Sequence, residues 1–212
     1  MVTDGRDGQP PVDAPRLEVL VSAAQLESRV AVLAGELDAV YAGAPRPPVL
    51  VGVLKGSVLF LADLVRAMRT HVEVDFMSIS SYGSGGAQSG VVRIEKDLDS
   101  DLHGRDVVIV EDIVDTGLTL NYLRKNIGAR LPRSLRAITL LDKSVRRIVP
   151  VPLEHRGFDI PDVFVVGYGL DFQSLYRNVP EILSVPDLPR LAADPRLLVE
   201  PLFPPPGGVS LP

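Results

Sequence analysis

Apolar residues recur at Leu26, Val30, Leu33, Leu37 and Val40, three or four apart, the spacing of one face of an α-helix. Ser22 stands just before this run with Gln25 three residues on, the pair that closes a capping box at a helix start. Pro45, Pro47 and Pro48 end the element, because proline fixes φ and lacks a backbone donor. Past them the period changes. PVLVGVL is an unbroken apolar run, suited to a strand buried on both faces. The tetrapeptide LKGS follows, then a second helical pattern over about 58–68. VEVDFMSIS reads as a strand, SYGSGGAQSG breaks regular structure, and VVRIEKDL reads as the returning strand. DVVIVED is another buried strand, ending at about Glu111, before a turn and a helix over about 118–129. SLRAITLLD is the next strand, and DVFVVGYGLD is expected to be the last. Strands alternating with helices predict an α/β fold, a mainly parallel core sheet flanked by helices. In such folds ligands sit at the C-terminal ends of the strands.

The two ends of the chain break this pattern. Residues 1–16 are rich in Gly, Asp and Pro and are expected to be a disordered extension, with one domain over 17–186. Nine of the 19 prolines lie from Pro180 onward, so residues 187–212 are expected to form an irregular or mobile proline-rich tail. Composition narrows the functional classes. Apolar residues at 46% allow a sizeable core within 212 residues. A net charge of -5 argues against a nucleic-acid partner held by bulk electrostatics, which needs a basic surface. The absence of cysteine excludes disulfides, thiolate metal sites and thiol nucleophiles, and fits a reducing compartment. No apolar run reaches the roughly 18 residues of a membrane span, and the polar N-terminus lacks a signal-peptide core. A cytoplasmic protein with no membrane partner is expected.

The chemistry concentrates in VVIVEDIVDTGLTL, residues 107–120. Asp115-Thr116-Gly117-Leu118-Thr119 is a strand-to-helix turn. Such a turn offers free N–H groups and the positive end of the helix dipole, Gly117 permits close approach, and the threonines add hydroxyl donors. These features suit a phosphate monoester. The stretch is not a Walker A loop, because the G-K-[ST] ending is missing, and Gln88 spoils any G-x-G-x-x-G in the glycine cluster at 83–88. Glu111, Asp112 and Asp115 would repel a bare phosphate. They make sense if the ligand also carries hydroxyls or a metal, as a ribose 5-phosphate does. Its phosphate would sit in the turn and its 2- and 3-hydroxyls would donate to Glu111 and Asp112. Asp115, further round, is free to handle a proton. The plainer alternative is that these acids only cap the helix and solvate a strand end.

The same stretch resembles the phosphoribosyl-pyrophosphate (PRPP) motif of type I phosphoribosyltransferases, most closely in their hypoxanthine-guanine branch. Further segments match in order: LKGS at 54–57, SSYG at 80–83, RIEKDLD at 93–99, LLDK at 140–143 and VGYGLDFQSLYRNVPEI at 166–182. The likeness spans about 17–185. It implies the type I phosphoribosyltransferase fold, with a small hood of terminal segments over the purine. It implies transfer of phosphoribose from PRPP to a 6-oxopurine with release of pyrophosphate, and a homodimer or homotetramer.

Site roles follow from the resemblance residue by residue. Lys55 and Gly56 would bind pyrophosphate, around a cis peptide at Leu54-Lys55, with Arg177 as a further contact. Ser81 and Tyr82 would belong to a lid that keeps water from the activated sugar. Lys143 would donate to the purine 6-oxo group, Phe164 would stack on the base and Val165 would read its edge through backbone groups. Asp171 would hold Mg²⁺ beside the purine site, with Glu111 and Asp112. Asp115 would be the general base for the purine N7 proton, or only accept a hydrogen bond from it. Taken alone, Lys143 could be a solvated strand end, Phe164 core, and the glycine-rich stretch a plain hairpin loop. His71, His103 and His155 match no role. Phe172 and Gln173 depart from the tyrosine and asparagine common in the family. Two alternatives stand: transfer to another base such as xanthine, and a regulatory PRPP sensor without catalysis.

Overall fold

The capping box at Ser22 forms as the spacing predicts: Ser22 Oγ accepts from Gln25 N–H, and the Gln25 side chain accepts from Ser22 N–H at 2.9 Å. It opens α1, Ala23–Tyr41, whose buried stripe is Leu26, Val30, Leu33, Leu37 and, in place of the expected Val40, Tyr41. The computed structural model describes residues 17–81 and 92–204. The N-terminal extension, the glycine-rich stretch from Tyr82 onward and the last part of the proline-rich tail, 205–212, lie outside them. After α1 come β2 (Val49–Leu54), α2 (Val58–Ala67), β3 (Glu73–Ser81), β4 (Val92–Lys96), β5 (Asp106–Val114), α3 (Leu118–Gly128), β6 (Ser134–Asp142) and β7 (His155–Asp159). Before α1 stands β1 (Glu18–Val21), and after β7 come β8 (Val165–Val166), β9 (Ile182–Ser184), α4 (Leu188–Ala193) and α5 (Val199–Leu202).

The core sheet runs β4-β3-β2-β5-β6-β7, parallel except for β4 against β3. The stretches Val49–Val53 of β2 and Val107–Val110 of β5 are apolar throughout because both faces are covered. Alternation along β5 sends Val108 and Val110 toward α1 and α2, and Val107 and Ile109 toward Leu120, Leu123 and Ile127 of α3. A smaller antiparallel sheet, β1-β9-β8, forms the hood from both ends of the described chain.

The sequence reading misplaced several elements. DVFVVGYGLD is not the last strand of the core sheet. That place belongs to β7, HRGFD, whose charged residues hide an edge strand. DVFVVGYGLD supplies the two-residue β8 of the hood and then a turn with positive φ at Gly167, Tyr168 and Gly169. Nor does β5 stop at Glu111; it continues to Val114, paired with β6. The tail is not irregular between 187 and 204. It forms α4 and α5, and Leu191 and Leu198 are fully buried in the hood. Burying each leucine is worth about 1.5–3 kcal/mol, enough to outweigh the local cost of the prolines.

Candidate functional site

Strand order reverses between β2 and β5, since β3 follows β2 on one side and β6 follows β5 on the other. The C-terminal ends of those two strands therefore open a crevice, the place where open α/β sheets bind ligands. LKGS leaves β2 there, through a cis Leu54-Lys55 peptide of the kind the resemblance implies. Glu111 and Asp112 lie in the last part of β5, at that same end of the sheet.

The turn after β5 is held from behind. Thr116 O accepts from Ile148 and Val149 N–H at 3.0 and 3.1 Å, and Lys143 N–H donates to Val114 O at 2.9 Å. Gly117 starts α3 at φ 84, and a Cβ there would strike Val149 O. Only glycine meets both conditions comfortably. No side chain caps α3 beyond a long contact of Leu118 N–H with Thr116 Oγ at 3.4 Å. Its first N–H groups face a cavity of about 200 Å³ lined by Glu111, Asp112, Asp115, Thr116, Gly117 and Thr119. A much larger concavity, about 830 Å³, lies away from these strand ends, between α1, α2 and residues 178–180.

The carboxylates are not equivalent. Glu111 is buried, and its Oε1 has no hydrogen-bond partner among the described residues. Burial, then the neighbouring Asp112, push its pKa well above the carboxylate range. Asp112 is pushed up to about 6, mainly by burial; Ile113 N–H, at 2.8 Å from Oδ1, and the charge of Arg177 oppose the rise. Its other oxygen lies so close to Gly56 that a Cβ there would overlap it. Asp115 Oδ1 is 3.3 Å from Arg146 Nε, without the alignment of a hydrogen bond.

Asp171 and Arg177 form a 2.8 Å ion pair. Arg177 Nη1 also donates to Gly169 O at 2.6 Å, and Gly169 backs onto the Gly56 carbonyl. Gly56, Asp112, Asp171 and Arg177 are thus brought together. Lys143 is buried at the end of β6 and makes no ion pair among the described residues. Phe164 stands edge-to-face with Phe172, centroids 5.7 Å apart, and Val165 is buried in β8 against β9. Lys55 is exposed at the crevice mouth. Of the lid pair, Ser81 ends β3 and Tyr82 lies outside the described residues. The sequence reading missed Arg146, Gly169, and the bond from Tyr168 O–H to Asp63 Oδ2 at 2.6 Å. For Arg146 the only signal was an arginine pair just after Lys143.

Three different ligand chemistries meet here. The α3 amides suit an anion, the buried acceptors suit hydroxyls or a cation, and the Gly56–Arg177 side suits a second anion. Glu111, Asp112 and Asp171 are hard oxygen donors and fit Mg²⁺. No three His, Cys, Asp or Glu side chains among the described residues form a ready-made metal cluster. The donors therefore suit an ion that keeps water and substrate oxygens in its shell. Residues 20–173 match the phosphoribosyl transferase domain, and the chain belongs to that family. It is 49% identical over 169 residues to a hypoxanthine phosphoribosyltransferase of Salmonella typhimurium, covering 80% of this chain and 95% of that one. It is 49% identical over 168 residues to a hypoxanthine-guanine phosphoribosyltransferase of Mycobacterium tuberculosis, covering 77% and 83%. A crystal structure of a hypoxanthine phosphoribosyltransferase from Staphylococcus aureus matches with a TM-score of 0.77 at 41% identity, covering 82% of this chain and 93% of that one.

Proposed function

We propose that this chain is a purine salvage enzyme, transferring the 5-phosphoribosyl group of PRPP to hypoxanthine, and to guanine, to give IMP or GMP and pyrophosphate. One observation carries the reading: the buried Glu111 and the half-buried Asp112 lie between an amide-rich turn and the Gly56–Asp171–Arg177 cluster. That order matches a ligand with phosphate at one end, hydroxyls in the middle and pyrophosphate at the other.

The 5-phosphate takes the N–H groups of residues 116–119, and the ribose hydroxyls donate to Glu111 and Asp112. Lys55, Gly56 and Arg177 hold the pyrophosphate. Purine N9 forms a bond to the anomeric carbon while the bond from that carbon to the pyrophosphate oxygen breaks. Charge builds up at the sugar, as in other glycosyl transfers. Asp115 takes the proton from N7. Lys143 donates to the 6-oxo group, which disfavours adenine because its amino group cannot accept that bond. Phe164 stacks on the base and Val165 reads its edge. Asp171, Glu111 and Asp112 are the side chains that would hold Mg²⁺, which when bound would neutralise part of the pyrophosphate charge. Ser81 and Tyr82 belong to the proposed lid.

The same reading includes a cytoplasmic location and a dimer or tetramer of this chain, which sedimentation can check. No helix among the described residues is long and apolar enough to cross a membrane. No observation favours the sensor or another base over this activity. The test is radiolabelled hypoxanthine and guanine with PRPP and Mg²⁺. Labelled nucleotide is expected; no nucleotide from any 6-oxopurine would discard the reading.

A further inference from the structure

Tyr176 is a non-glycine residue at φ 75, a conformation that surroundings must impose. Its surroundings are the segment that follows Asp187. The Tyr176 hydroxyl donates to Pro195 O and accepts from Leu198 N–H at 3.3 Å, so both roles of the group are spent on the link between α4 and α5. Asp187 caps α4 by accepting from Arg190 N–H at 3.1 Å. Leu191 and Leu198 then seat this segment against Val166, Val179, Leu183 and Val185.

Tyr176 directly precedes Arg177. Arg177 holds Asp171 through its guanidinium and Gly169 through its Nη1, and its carbonyl accepts from Gly169 N–H at 2.9 Å. Gly169 in turn abuts Gly56, which abuts Asp112. A continuous run of contacts therefore joins the C-terminal segment to one end of the crevice. The family match stops at residue 173, short of both Tyr176 and the segment it holds.

We propose that residues 187–204 are a latch: through Tyr176 they fix Arg177, and so set how tightly the crevice grips the pyrophosphate end of PRPP. Arg177 as a pyrophosphate contact rests on the proposed function. Tyr176 is a positioning residue, because it is bonded in sequence to Arg177 and holds the tail through its hydroxyl. Docking of the tail and placement of Arg177 are then one event. Loss of either the hydroxyl or the tail should have the same consequence.

The test compares the full chain, Tyr176→Phe, a chain ending at Pro186, and the two changes combined. Each is assayed for KM and kcat with PRPP, Mg²⁺ and hypoxanthine, and for PRPP affinity by calorimetry. Tyr176→Phe removes one hydroxyl without changing the packed ring, and should raise PRPP KM and Kd about three- to tenfold with kcat within about twofold. The shortened chain should lose at least as much affinity. Adding Tyr176→Phe to it should change Kd by less than about twofold, because the partner of the hydroxyl has gone. A purely structural hydroxyl would lower Tm and leave both constants unmoved, which overturns the latch. Effects that multiply in the combined variant also overturn it. If the shortened chain does not fold, Tyr176→Phe decides alone. If the full chain binds PRPP without turnover, the proposed activity falls and the affinities still judge the latch. If it does not bind PRPP, both fall.

Discussion

Gly56 and Asp112 occupy space that neither can yield. A methyl group at 56 would overlap the Asp112 carboxylate, which burial and the Ile113 N–H already fix. Gly56→Ala should therefore push β5's carboxylate aside and cut kcat/KM more than about 100-fold, an effect of misplacement. Steady-state kinetics with PRPP varied will show it. Asp112 itself is costly in the chain alone, being pushed up to about 6 mainly by burial. Asp112→Asn should raise stability by about 1–3 kcal/mol in EDTA at pH 7.5, since a buried charge is replaced by a neutral amide. It should also abolish most PRPP binding. Urea unfolding beside calorimetry separates the two effects, and a less stable variant counts against the strain argued here. Asp115 differs, being half-exposed beside Arg146. Asp115→Asn keeps size and removes a proton acceptor, so kcat should drop about 100-fold or more while PRPP Kd stays within about threefold. Unchanged turnover would remove it from proton transfer.

At the level of elements, α1 illustrates what a sequence can declare. Ser22 and Gln25 satisfy orphan N–H groups locally, so the helix start needs no tertiary information. Ser22→Ala should cost about 1 kcal/mol, read as a lower urea midpoint at unchanged m-value. The buried strands β2, β5 and β6 were equally legible, because an apolar run between turn residues has few other uses. So was the phosphate turn, where Gly117 and the acids sit in one contiguous stretch. What was not legible depends on partners distant in sequence. HRGFD is an edge strand only because β6 lies beside it. β1 is a strand only because β9 pairs with it, some 160 residues away. Residues 187–204 of the proline-rich tail form helices because the hood offers Tyr176 and an apolar seat. Arg146 reaches Asp115 across the loop after β6, a contact no local pattern encodes.

Across the whole molecule, the two ends of the sheet treat carboxylates in opposite ways. At the C-terminal strand ends, burial raises Glu111 and Asp112, and Glu111 Oε1 has no hydrogen-bond partner among the described residues. At the other end, Asp75 and Asp106 are as buried as Glu111 but fully engaged. Asp75 Oδ2 accepts from Asp99 and Ser100 N–H at 3.0 and 2.8 Å. Asp106 accepts from Arg133 Nε at 2.9 Å and from Ser134 Oγ at 2.7 Å. Hydrogen bonds from Arg133, opposed by burial, hold Asp106 below its ordinary value of 3.8. Backbone N–H groups likewise overcome the burial cost of Asp75. A depressed carboxylate stabilises the fold fully above its unfolded pKa, and that stability is lost as pH falls through the folded one. The loss should thus begin near pH 4 and deepen below it. Asp106→Asn removes the ion pair with Arg133, and should cost about 1–3 kcal/mol at pH 7. As pH falls through 3.8 and then through the depressed folded value, the wild-type carboxylate becomes neutral too, so the gap between the two proteins should narrow from pH 4 downward. Urea unfolding of both at pH 7, 4 and 3 measures that gap. If it stays constant across the three, Asp106 stabilises by packing alone, and the division of labour between the sheet's ends loses its electrostatic basis.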